Sequence, residues 1–107
     1  MPRKQLDELR DLGVRVLTGA RTSPENAASV VEALIRAETD GIASHGLSRL
    51  PAYADQAGVG KVDGFAVPEL TKTGNAAIRV DAKNGFAYPA VRIGLERVAE
   101  MVPIAGC

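Results

Sequence analysis

The sequence predicts an α+β chain: a mostly helical first domain over residues 1–70, then, over residues 71–107, the beginning of a mixed domain whose sheet is incomplete. Three observations carry that expectation. Apolar residues recur at three-and-four spacing from the amino end to about residue 37. A glycine-rich connection then breaks the helical period, and two short segments flanking a Gly-Asn pair follow it. One more helical stripe comes after them. At 107 residues the chain matches a small domain or a piece of a larger one, and either allows a modest core.

In residues 4–20, Leu6, Leu9, Gly13, Val16, Leu17 and Ala20 form one stripe, with Lys4, Asp7, Glu8, Arg10, Asp11 and Arg15 mostly elsewhere. Ser23 before Pro24 is a serine N-cap ahead of a proline at the first helical position, and Ala27, Val30, Val31, Leu34 and Ala37 continue a stripe up to Asp40-Gly41. Pro51 dictates how the next element starts. A helix capped at Ser44 would carry that proline in its interior, at about 3 kcal/mol. A start near Ser48 places Pro51 in the first turn, so Ser44, His45 and Gly46 are expected as a loop leading into a helix from about Arg49 to Gln56. Residues 58–68, GVGKVDGFAVP, read as a connection. Glu69–Thr73 and Ala76–Asp81 suit a hairpin turned at Gly74-Asn75. A helix from about Tyr88 to Val102 is expected to bury Val91, Leu95, Val98, Ala99 and Val102 and to end at Pro103. Ile104-Ala105-Gly106-Cys107 then reads as the opening of a buried strand.

Composition excludes several functions. The 13 basic and 13 acidic residues balance without clustering, which argues against nucleic acid and against a basic membrane-binding face. With a single Cys and a single His, neither an internal disulfide nor a usual zinc cluster is available, so no metal is expected. No secretory leader or long apolar run is evident, and a cytoplasmic protein is expected.

The chemistry-bearing stretch is SHGLSRLPAY, residues 44–53. Each residue in it has a plain reading: a loop histidine bonded to a local carbonyl, a solvated arginine, a packing tyrosine. The chemical reading joins them. A histidine protonates a developing alkoxide or amine and recovers its proton near neutral pH. Ser44 beside it would hold the ring proton on the useful nitrogen. Arg49 offers a planar fork that grips a carboxylate with two hydrogen bonds. Such a set suits a small 2-oxo or 2-imino acid, whose reducible carbon lies one bond from its carboxylate. His45 and Arg49 must then open on the same side of the fold. Neither NGFAYPA nor GVGKVDG gives G-x-G-x-x-G between a strand and a helix, so no Rossmann domain is expected.

The run ETDGIASHGLSRLPAY, residues 38–53, followed by VDAKNGFAYPA, residues 80–90, resembles the malate/L-lactate dehydrogenase family of NAD(P)-dependent oxidoreductases, which is distinct from the Rossmann-type lactate dehydrogenases. The resemblance implies that Ser44 belongs to a charge relay, His45 is the proton donor and Arg49 binds the substrate carboxylate. Tyr53 is a neighbour of the site without an assigned role. It also implies hydride transfer between NAD or NADP and a small 2-oxo, 2-hydroxy or cyclic imino acid, with a homo-oligomer as the expected assembly. Many family members have N-G-x-G-H where this chain has Asn84-Gly85-Phe86-Ala87-Tyr88. Because family enzymes are longer, the chain is expected to be an amino-terminal part, inactive alone, with the cofactor site beyond Cys107. The rival expectations are a non-catalytic helical interaction module and an inactive gene remnant.

Overall fold

A computed structural model describes residues 3–105. The element order is α1 (Arg3–Thr18), α2 (Pro24–Thr39), two 3-10 turns (Ala43–His45 and Leu47–Arg49), α3 (Leu50–Gly58), β1 (Glu69–Gly74), β2 (Ala77–Asp81) and α4 (Ala87–Ala105). This is an α+β chain with an incomplete sheet: among the described residues β1 and β2 pair only with each other, antiparallel.

The core is built around α2. Ala27, Val30, Val31, Leu34 and Ile35 of that helix are buried against Leu17, Ala57 and Phe86. Ser23 caps α2 as expected, its hydroxyl accepting from the Asn26 amide at 3.2 Å. Helices α1 and α2 approach closely because residue 13 is glycine. A Cβ there would lie 3.0 Å from a methyl of Val31. Phe86, from the second half of the chain, is buried in the same core.

The 58–68 connection is pinned at two places. Thr22 and Gly64 form an isolated parallel bridge, and only glycine fits, since a Cβ at Gly64 would collide with the Arg21 carbonyl. The buried Asn26 amide donates to the carbonyls of Gly64 and Ala66 at 2.9 and 2.8 Å. A buried carbonyl needs such a partner. Lys83 and Asn84 take left-handed backbone angles, φ 56° and 62°, which brings the Asn84 carbonyl to the Asp63 amide at 2.8 Å.

Three expectations are corrected. The hairpin turns at Asn75-Ala76, between the paired residues Gly74 and Ala77. A bulge between Lys72 and Gly74 shifts the register by one residue, and Gly74 lacks the positive φ that a Gly-Asn turn of the primed type requires. Second, α4 does not stop at Pro103 but contains it and runs to Ala105. A proline's fixed φ is itself helical, so near a helix end it removes one hydrogen bond without reversing the chain. Ile104 is therefore helical and 89% exposed, not the opening of a buried strand, while Gly106 and Cys107 lie outside the described residues. Third, the stripe on α4 is not buried: Val91, Leu95, Val98 and Val102 are all exposed. The strands and α2 bury Ala90 but only border the stripe, leaving open grooves that Val91 and Leu95 line with Ile78 and Val80 of β2 and with Ala33 of α2. Among the described residues no helix is long and apolar enough to cross a membrane.

Candidate active site

The stretch from Ala43 to Arg49 is not an open loop. It folds as two successive 3-10 turns, joined at Gly46, between the end of α2 and the start of α3. Pro51 sits in the first turn of α3, where it costs no internal hydrogen bond. Ser48 does not cap that helix. Its hydroxyl turns back to donate to the Ala43 carbonyl at 2.9 Å.

The turns are locked onto α2 by Glu38. Its Oε1 accepts from the Leu47 amide at 3.1 Å, and the same oxygen fills the space over Gly46, where a Cβ would lie 2.7 Å away. Glycine is thus favoured in Ser-His-Gly by the acid eight residues upstream, not by backbone angle. Gly46 itself is buried beneath the exposed residues that precede it.

Ser44 is the contact shared by the two reactive groups. Its hydroxyl oxygen lies 3.0 Å from His45 Nδ1. A neutral ring with its proton on Nε2 accepts there from the serine, whereas a protonated ring donates to it. The Ser44 carbonyl accepts from Arg49 Nε at 2.7 Å. That bond fixes the guanidinium by its inner nitrogen and leaves the outer pair, Nη1 and Nη2, without an ion-pair partner among the described residues. His45 and Arg49 are both exposed, so neither is a core group satisfied from within. Both side chains thus contact Ser44, the imidazole at its hydroxyl and the guanidinium at its backbone carbonyl.

Tyr53 follows Arg49 by one helical turn and packs inward. Its ring meets Phe86 edge-on at 5.8 Å and Tyr88 at 6.1 Å, and the Tyr53 and Tyr88 hydroxyls are 3.0 Å apart. The Tyr88 phenol is pushed up to about 12, first by burial and then by its bond to Tyr53, while the positive charge of Arg49 pulls the other way. Tyr88 and Glu38 are the site neighbours that spacing alone did not single out. Glu38 had a signal, an acid just ahead of a glycine-bearing turn; Tyr88 had only its place at the end of Asn84-Gly85-Phe86-Ala87-Tyr88, and nothing tied it to Tyr53, 35 residues away.

A family model described as malate/L-lactate dehydrogenase matches residues 5–107. Among curated proteins the chain is similar to a (2R)-3-sulfolactate dehydrogenase (NADP(+)) of Chromohalobacter salexigens, 44% identical over 94% of this chain and 29% of that one. It is also similar to a Δ1-pyrroline-2-carboxylate/Δ1-piperideine-2-carboxylate reductase of Pseudomonas syringae pv. tomato, 40% identical over 92% of this chain and 29% of the relative. Of solved structures, the Δ1-piperideine-2-carboxylate reductase of Pseudomonas syringae pv. tomato superposes with a TM-score of 0.87 at 39% identity, over 94% of this chain and 30% of that one. Malate dehydrogenase from Pyrococcus horikoshii superposes with a TM-score of 0.85 at 26% identity, over 94% and 29%. The chain thus spans about 29% of the length of the curated relatives it matches.

Proposed function

The chain belongs to the malate/L-lactate dehydrogenase family, and we propose that its Ser44–Arg49 turns are the acid and anchor of a site for reversible hydride transfer between NAD(P)H and a small 2-oxo or cyclic 2-imino acid. The observation that carries this reading is the shared contact at Ser44, which holds an exposed imidazole and an exposed, unpaired guanidinium together. In the reduction, Arg49 Nη1 and Nη2 grip the carboxylate, and His45 gives a proton to the oxygen or nitrogen on the adjacent carbon. Ser44 holds the ring so that Nε2 carries that proton outward. The named acids of the relatives, sulfolactate, piperideine-2-carboxylate and malate, have the carboxylate such an anchor takes.

The nicotinamide cofactor, when bound, supplies the hydride. An acid and an anion anchor are the groups such a donor needs beside it, so the residues present fit its chemistry. The described residues offer no glycine-rich cradle between a strand and a helix, and none is assigned to the dinucleotide phosphates. NAD and NADP are both compatible with the turns themselves.

The test is a titration of the chain with pyruvate and with pyridine-2-carboxylate, followed by NMR at the His45 ring and at Arg49 Nε–H. Both acids should move both signals. Arg49→Lys should weaken binding about tenfold, because a point charge replaces a fixed fork and the bond to Ser44 is lost. No response in the wild type, or an undiminished one in the variant, overturns the assignment.

A further inference from the structure

The chain has two tyrosines, and the fold brings their hydroxyls to 3.0 Å across 35 residues of sequence. Two phenols carry two protons, and one O–H···O contact uses one of them. Whichever tyrosine accepts keeps its own proton, and among the described residues no further acceptor takes it. The pair is also held in place. Tyr53 is wedged between Phe86 and Tyr88 by edge-on ring contacts, and Phe86 is only 6% exposed. Tyr53 lies one helical turn after Arg49, on the same face, and the Arg49 charge is felt at Tyr88. The leftover proton thus belongs to a fixed pair one helical turn beyond Arg49, whose outer nitrogens have no ion-pair partner among the described residues.

We propose that the Tyr53–Tyr88 pair is a second anchor of the site, donating its leftover hydroxyl proton to the carboxylate that Arg49 holds, an inference that rests on the reading of these turns as an acid-binding site. A neutral phenol suits this role. Tyr88 is held protonated well above neutral pH, chiefly by burial, so it donates to a carboxylate instead of repelling it. Fixed rings lose little freedom on binding, which makes such a donor effective.

The experiment titrates pyridine-2-carboxylate, and separately the uncharged pyridine-2-carboxamide, into the wild-type chain, Tyr53→Phe, Tyr88→Phe and the double variant, with Arg49→Lys alongside. Phenylalanine keeps the ring and its packing. The tyrosine that touches the acid should, when replaced, raise the Kd for the carboxylate about tenfold, since a hydrogen bond to a charged group is lost. Replacing its partner should do less, because the remaining hydroxyl can still donate, and the double variant should resemble the more damaging single one. Carboxamide binding should weaken less, since its neutral carbonyl accepts a weaker bond than a carboxylate, whereas a merely structural role would weaken both ligands equally. If every Phe variant binds the carboxylate within twofold of wild type while Arg49→Lys still weakens it, the second anchor is wrong and the reading of the turns stands. If the wild type binds no carboxylate, or Arg49→Lys is without effect, both fall.

Discussion

Replacing Gly46 by alanine tests why the motif ends in glycine. The added Cβ would lie 2.7 Å from Glu38 Oε1, 3.1 Å from Cδ and 3.3 Å from Cβ of the same side chain. The two nearest atoms belong to the head of a flexible glutamate and the third contact, at its Cβ, is tight without being a clash, so the protein should still fold. For the methyl to fit, however, the carboxylate must swing off the Leu47 amide that it accepts at 3.1 Å. A hydrogen bond to a charged group contributes about 1.5–3 kcal/mol when buried, and water reaches this half-buried one after the swing, so the loss should be about 1–2 kcal/mol. In a chain of this size that lowers Tm by about 5–10 °C. Thermal unfolding followed by circular dichroism reads the cost, and the Leu47 amide resonance reads the lost bond. Glu38→Ala removes the obstruction and the bond at once. The double variant should therefore be no less stable than Glu38→Ala alone, a strongly non-additive cycle. If Gly46→Ala lies within about 0.5 kcal/mol of wild type, or if the two changes simply add, the glycine is not there to make room for Glu38.

Asn26→Ala should strand the carbonyls of Gly64 and Ala66, at about 2–4 kcal/mol for the two together, read as a shift of the urea midpoint; a loss under about 1 kcal/mol would show that water replaces the amide. Tyr88 sets an alkaline limit. Its folded value is raised to about 12 against an ordinary 10.0, so the unfolded chain sheds that proton first, and stability should be flat below about pH 10 and fall as pH rises towards 12. Phenolate absorbance should show one tyrosine ionising late, and two ordinary ionisations near pH 10 in the folded protein would contradict the burial of this hydroxyl.

The helices of the first half were legible because a buried stripe repeats at helical spacing and α2 carries its own punctuation, Ser23-Pro24. Pro51 was informative for the same reason: a missing amide proton restricts where a helix can start. The hairpin turn was off by one residue because a bulge is a property of paired strands, and neither strand reveals it alone. The stripe on α4 misled more seriously. Spacing shows that Val91, Leu95 and Val98 share a face but not how completely it is covered, and among the described residues β2 and α2 only border it. In the site, Ser44, His45 and Arg49 were legible because their chemistry is local, within six consecutive residues. Glu38, Phe86 and Tyr88 touch their neighbours Gly46, Leu47 and Tyr53 through contacts that exist only once the chain is folded.

That division explains how so small a site is held. Two 3-10 turns are weak structures by themselves, with short ladders and poor hydrogen-bond geometry. Here each side of the pair is tied to something more stable. Glu38 fastens the Leu47 amide to the end of α2, the helix that supplies most of the buried core. On the other side, Tyr53 carries the helix following Arg49 onto Phe86 and Tyr88 at the start of α4. The imidazole and guanidinium can then stay exposed, as the proposed proton transfer and carboxylate binding require, while the turns that bear them are tied down on both sides. Their mutual placement depends on one serine, whose side chain meets His45 and whose carbonyl meets Arg49. Ser44→Ala should accordingly free the ring while sparing the backbone bond that sets the arginine, so the acid and the anchor are separable by mutation even though a single residue joins them.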